Sequence, residues 1–196
     1  MNPSAAARSA VARSSIAFAA VALAAIALAA DSLARPQPII ASHSSLVASF
    51  RQQGVSVDAP FKRFSGEIQY DPAHPERTRA TLQVDMGSLD VGDEDSDAEV
   101  RGTAWFDSAH FPQASFEATQ VKPGDAHHFE ASGELRIKDH AQRITVGVNV
   151  QPAGSGFTYD GSFELSRREF AIGDPSWDAV LDDAVRVRFH LLAAGR

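Results

Sequence analysis

A chain of 196 residues with 44% hydrophobic content has the material for one domain with a substantial core. Its formal net charge of −7 argues against a nucleic-acid partner and against a polybasic membrane-surface module, since both need a basic face. The absence of cysteine excludes disulfides, thiolate nucleophiles, Cys-ligated zinc and a lipidated cysteine anchor, so stability has to come from core packing.

The first element is a leader. Arg8 and Arg13 precede the apolar run Ile16 to Ala30, and no acidic residue occurs before Asp31. Small-residue cleavage options follow at Ala27-Leu28-Ala29 and Ser32-Leu33-Ala34. This is the order of a secretory signal peptide over residues 1–34. The apolar run makes about 22 Å of helix against a hydrocarbon core of roughly 30 Å, which favours cleavage over anchoring. The expected location is periplasmic or secreted. Residues 35–43 read as a linker and 44–196 as one domain.

From there the chain breaks into short alternating segments. Apolar side chains recur at every second position, which gives a strand one apolar and one wet face. Such segments are expected around Ser45 to Gln52, Phe64 to Tyr70, Thr81 to Met86 and Ala114 to Val121. Four more follow at Phe129 to Ile137, Ile144 to Val150, Phe157 to Leu165 and Val185 to Leu191. Turn signals at Asp71-Pro72, Pro123-Gly124-Asp125, Lys138-Asp139-His140 and Gly154-Ser155-Gly156 separate several of them. The pattern is all-β, and eight strands joined mostly by tight turns suit an antiparallel barrel better than a sandwich. The stretch from Val91 to Pro112 is too long for a hairpin loop and carries Trp105, Phe106 and Phe111 in a short helical piece, as a lid would.

Catalytic patterns are missing. There is no Gly-x-Ser-x-Gly elbow and no His-Glu-x-x-His pair. Of the seven histidines only His127 and His128 are adjacent, in a polar turn, while His43 and His190 have no local partner. The acidic run Asp90 to Glu99 invites a calcium reading. As a loop starting at Asp93, however, it has Ala98 where glycine is needed and Ala104 where a bidentate Glu is needed. A solvated loop is the better reading, and neither a metal nor a cofactor is expected.

Several short pieces are together characteristic: Phe50-Arg51-Gln52-Gln53-Gly54-Val55, Phe61-Lys62-Arg63-Phe64-Ser65-Gly66, Tyr70-Asp71-Pro72 and Gly87-Ser88-Leu89-Asp90. They continue with Trp105-Phe106-Asp107, Phe111-Pro112-Gln113-Ala114-Ser115-Phe116, Gly133-Glu134-Leu135-Arg136-Ile137-Lys138 and Arg167 to Gly173 with Trp177. In this order and spacing, from about Ser44 to Leu192, the chain resembles the YceI-like family of lipocalin-like, polyisoprenoid-binding barrels. The resemblance implies an extended eight-stranded antiparallel lipocalin-like β-barrel whose apolar tunnel holds an isoprenoid chain. Two departures stand out. The turn after Lys138 has Asp139 where such proteins usually carry Gly, and Pro175 stands where a second Gly is more usual, in a stretch to Val185 that looks shortened.

A hydrocarbon ligand asks for an aliphatic and aromatic lining. The candidates are Phe50, Phe61, Phe64, Ile68, Leu82, Val84, Met86, Trp105, Phe106, Phe116, Leu135, Ile137, Phe163 and Phe189. Each could equally fill a dry core. Arg167 and Arg168 are candidates for headgroup contacts at the barrel mouth, against the plainer role of strand-end ion pairs. The leading expectation is an exported, non-enzymatic carrier, store or sequestering protein for an apolar lipid such as a polyprenyl chain or isoprenoid quinone, with transient contact to a membrane or membrane protein. Two alternatives stay open: an enzyme acting on a small lipophilic substrate in the cavity, and a partner-binding module of a membrane redox or stress system with a filled core.

Overall fold

The structure is a computed structural model that describes residues 35–125 and 127–194. The signal peptide expected over residues 1–34 lies outside the described residues. No helix among the described residues is long and apolar enough to cross a membrane.

One antiparallel sheet curls round a common interior. Its strands are β1 (Gln37–Pro38), β2 (Ser45–Gln52), β3 (Val55–Pro60), β4 (Phe64–Gln69), β5 (Arg79–Asp85), β6 (Gln113–Pro123), β7 (His128–Ile137), β8 (His140–Ala153), β9 (Gly156–Ser166) and β10 (Ala184–Ala194). Strands β4 to β10 form an up-and-down meander, and the β2–β3 hairpin returns to pair with β10. The expected strands are all present, but the sheet has ten strands where eight were expected.

Both additions lie at the ends of the strand order. The segment read as a linker is stitched between β4 and β10: Gln37 is opposite Ile68, the Ile39 amide donates to the Gly66 carbonyl at 2.9 Å, and the Ile40 amide to the Leu192 carbonyl at 2.8 Å. At the other edge Phe61 bridges to Leu89, the Lys62 amide donates to the Ser88 carbonyl at 3.0 Å, and the Asp90 amide to the Pro60 carbonyl at 3.0 Å. These bonds cover the sheet edge at β4 and the Pro60 end of β3.

The register keeps one face apolar. On β9 and β10, Tyr159 is opposite Leu191 and Phe163 opposite Val187, all turned inward. A bulge in β6 between Ala118 and Gln120 inserts one residue, so Val121 faces in where strict alternation would have turned it out. Gly161 lies opposite Val148 and Phe189, and a Cβ there would come within 2.5 Å of both the Phe189 ring and the Gly147 carbonyl. Glycine lets the ring and the neighbouring backbone approach this closely.

The covering segment departs from expectation in one respect. Its helix, α1 (Glu94–Val100), occupies the acidic run, and Trp105 to Phe111 form turns. The run is spent on local structure. Asp93 caps α1 by accepting from the Ser96 amide, Asp97 accepts from the Val91 amide at 2.8 Å, and Asp90 pairs with Lys62 at 2.9 Å.

Candidate functional site

The two halves of the interior differ in what packs there. One cluster gathers Leu46, Met86, Phe106, Ile137, Phe170 and Ile172 under the covering segment; we call this the lid end. The other gathers Ile68, Val121, Phe129, Val148, Val150, Tyr159 and Leu191 at the far end. A continuous cavity of about 410 Å³ runs along both, so the interior is open and not filled. That size falls among ordinary small-ligand sites. The inward Phe50, Phe61, Phe116, Phe163 and Phe189 are only half-buried because their rings border this space.

Every aliphatic or aromatic candidate from the sequence lines the cavity except Phe64, which packs against both clusters without reaching it. Phe64 is opposite Val84, which does line it. The charged lining residues are Asp93, Glu99 and Arg167, and all lie at the lid end.

The two arginines are both bonded to the protein itself. The Arg167 side chain is 1% exposed, and its guanidinium donates to the carbonyls of Ile172 at 3.1 Å, Leu181 at 3.2 Å and Asp182 at 3.2 Å, and to the Asp178 carboxylate at 2.5 Å. Four of its five donors are thus committed to the chain that crosses the mouth. Arg168 is half-exposed and pairs with Asp178 at 3.2 Å and Asp183 at 3.8 Å. Strand-end pairing therefore describes both better than a free cationic rim. Hydrogen bonding from Arg167 holds the Asp178 carboxyl below the ordinary carboxylate value, with the charge of Arg168 acting in the same direction.

The mouth is tied by Lys138. This residue, and not Asp139, carries the positive φ of the β7–β8 turn, at 57°. The strain is offset by its ammonium, which donates to the Trp105 carbonyl at 2.9 Å and the Ala171 carbonyl at 2.6 Å. The covering segment is thereby joined to the segment after β9, to which the Gly173 amide adds a bond to the Ala104 carbonyl at 2.9 Å. Trp105 meets Trp177 edge-on with ring centroids 5.1 Å apart. Gly173 has φ 74°, and a Cβ there would stand 3.3 Å from the Trp105 ring. Pro175 opens a 3-10 turn capped by Asp174, so it suits the place where a second Gly was expected.

Sequence reasoning singled out Ile68 at the far end but not the aromatic group there. Tyr70 stacks near Phe129 at 6.0 Å and meets Phe157 and Tyr159 edge-on at 5.0 and 5.9 Å. Burial pushes the Tyr159 hydroxyl well above its ordinary value, and the neighbouring Tyr70 hydroxyl adds to the effect. Among the described residues, two buried side-chain polar atoms lack a hydrogen-bond partner: Trp105 Nε1 and Tyr159 Oη. Both residues line the cavity, one at each end. The alternation of Phe157 to Leu165 already turns Tyr159 inward, which was the available signal. Among the described residues, no group of three His, Cys, Asp or Glu side chains gathers as metal ligands do.

Comparison with known proteins agrees with this geometry. BcnA of Burkholderia cenocepacia has a crystal structure that superposes with a TM-score of 0.77 at 32% identity, covering 80% of this chain and 99% of BcnA. A domain from Saccharophagus degradans, described as polyisoprenoid-binding and implicated in plant cell wall breakdown, shares the fold at 16% identity. It has a TM-score of 0.67 and covers 84% of this chain and 99% of that domain. A UPF0312 protein of Vibrio cholerae is 28% identical over 116 residues, 59% of this chain and 60% of that relative, so the match spans less than two thirds of its length. The YceI-like domain matches residues 38–193, and the chain belongs to the YceI-like family.

Proposed function

We propose that this protein is an exported binding protein that holds an isoprenoid or similarly apolar chain inside its barrel, for transport, storage or sequestration. On this reading it binds its ligand without transforming it. The observation that carries the proposal is the continuous cavity of about 410 Å³, lined by the apolar faces of the strands and, among the described residues, charged only at the lid end. At about 0.8 kcal/mol per buried CH₂, ten buried carbons reach about 8 kcal/mol, the micromolar range before ordering costs are subtracted. The polyisoprenoid-binding description of the Saccharophagus domain supports the same ligand class. The Arg8-to-Ala34 pattern supports export to the periplasm or beyond by a cleaved leader.

The test is native mass spectrometry and lipid extraction of protein purified from a periplasmic fraction without detergent. An extractable isoprenoid, and a mass that begins near residue 35, are the expected results. An apo mass together with no thermal shift on adding isoprenoids would overturn the ligand assignment. Recovery of an uncleaved chain in the cytoplasm would overturn the export assignment.

A further inference from the structure

We infer that the far end of the cavity is a stop that sets how long a chain this protein accepts, with the rings of Tyr159 and Phe129 as its floor. This rests on the lipid-binding reading above and adds a length limit and the residues that impose it.

Where the cavity ends is the first reason. On β8, Val148 lines the space and Val150, the next inward residue towards the far rim, does not. On β9 the same division falls between Tyr159 and Phe157, and on β10 between Leu191 and Ala193. Ile68 and Tyr70 divide likewise at the end of β4. The cavity therefore stops inside the barrel, short of its far rim.

The packing at that point is the second. Phe50, Phe61 and Phe116 are half-buried beside the wide part of the cavity, whereas Tyr159 and Phe129 are 2% and 4% exposed where it ends. Behind them Tyr70 meets Tyr159 and Phe157 edge-on at 5.9 and 5.0 Å and lies 6.0 Å from the Phe129 ring. Val150 and Ala193, in the same cluster, are buried as well. A close-packed layer of this kind gives a chain end no gap to pass through.

Polarity fixes which end of a ligand meets the floor. The charged lining residues Asp93, Glu99 and Arg167 all lie at the lid end, so a polar-headed chain enters tail first. Each methylene gains affinity while it still has apolar wall to cover, about fourfold per carbon. Once the tail reaches the rings, a further methylene stays at the mouth and adds nothing.

The experiment measures how the unbranched alcohols from octanol to octadecanol displace a bound pyrene-labelled decanol from the full chain. In wild type, affinity is expected to rise about fourfold per methylene and then to break to a plateau. Ala131 lines the cavity one inward position from Phe129 towards the lid, and Ala131→Leu adds an isopropyl group there. The break should then come about two methylenes earlier, with about a fifteenfold loss for the chain at the wild-type limit. Tyr159→Leu removes the floor ring, and because the surroundings relax only in part the break should come about two methylenes later. Tyr159→Phe keeps the ring and should hold the break within about one methylene of wild type. Because the first two variants move the break in opposite directions, either one that folds tests the floor by itself. An unbroken rise in wild type, or a break that stays in place in the Ala131→Leu or Tyr159→Leu variant, would overturn the inference and leave the lipid reading standing. Binding of none of the alcohols would remove the lipid reading itself.

Discussion

The two ends of this barrel are held by different physics. At the lid end, Arg167 and Lys138 pin three chain segments through directed bonds to carbonyls and one carboxylate. At the far end, Phe129, Val148, Val150 and Leu191 pack with no charged lining residue among the described residues, and the bonds that matter are those of the sheet itself. Directed bonds fail one at a time when a donor is removed, whereas packing degrades with lost volume wherever it occurs. The ends should therefore answer differently to mutation, to pH and to ligand.

The largest effect is expected at the far end. Phe129 is 4% exposed, and Phe129→Ala should cost about 3–4 kcal/mol in denaturant unfolding, with tryptophan emission of the folded state unchanged because both tryptophans are at the other end. Arg167→Leu should cost roughly 3 kcal/mol by leaving the carbonyls of Ile172, Leu181 and Asp182 without their donor. Unlike the far-end variant, it should shift the emission of Trp105 and Trp177. Arg168→Leu is the control, expected within about 1 kcal/mol of wild type because its pairs are half-exposed. If Arg168→Leu matched Arg167→Leu, the assignment of the mouth to a buried guanidinium would be wrong.

Lys138 sharpens the comparison with a smaller effect. Lys138→Met removes two bonds and keeps the left-handed strain, while Lys138→Gly removes the bonds and relieves the strain. The glycine variant should be the more stable of the two by about 1 kcal/mol, as read from thermal midpoints. Both should speed release of a bound lipid, because both free the Trp105 carbonyl from the clamp. Release rates unchanged in both variants would show that the lid-end tie does not govern exchange.

The wall of the barrel was legible in the sequence and its closure was not. Period-two alternation placed Leu82, Val84, Leu135, Ile137, Phe163 and Phe189 on the inner face because one strand face must be apolar whatever its partner is. The strand Gln37–Pro38 pairs through its backbone, and Val55–Pro60 ends in proline with its most buried position held by Ala59, so neither has a strong side-chain pattern. The bulge before Gln120 leaves no residue signature, and it alone decides that Val121 faces in. Arg167 was noticed, but its carbonyl partners come from a chain segment up to Asp182, which only the fold brings to it. Openness of the interior was equally beyond the pattern, since identical faces can enclose a filled core or an empty one.

The two ends should also titrate on opposite sides of neutrality. Asp178 is held below its ordinary value of 3.8 by the hydrogen bond from Arg167. Its contribution is present above that value and is lost as the pH falls through the lower, folded one, so acid should perturb tryptophan emission first. Tyr70 and Tyr159 are both raised above their ordinary value of 10.0, chiefly by burial, with the Asp71 carboxylate adding to the rise at Tyr70. Their neutral forms are favoured by folding, so this stability is present below pH 10.0 and is lost as the pH rises through the folded values. An ultraviolet titration should show no tyrosinate at the ordinary value, then Tyr70, with Tyr159 ionising only as the barrel opens. The Tyr159→Phe variant should lose the later step and keep the earlier one. A single step at the ordinary value in wild type would mean that the far end is wet, and the contrast between the two ends would then rest on the lid network alone.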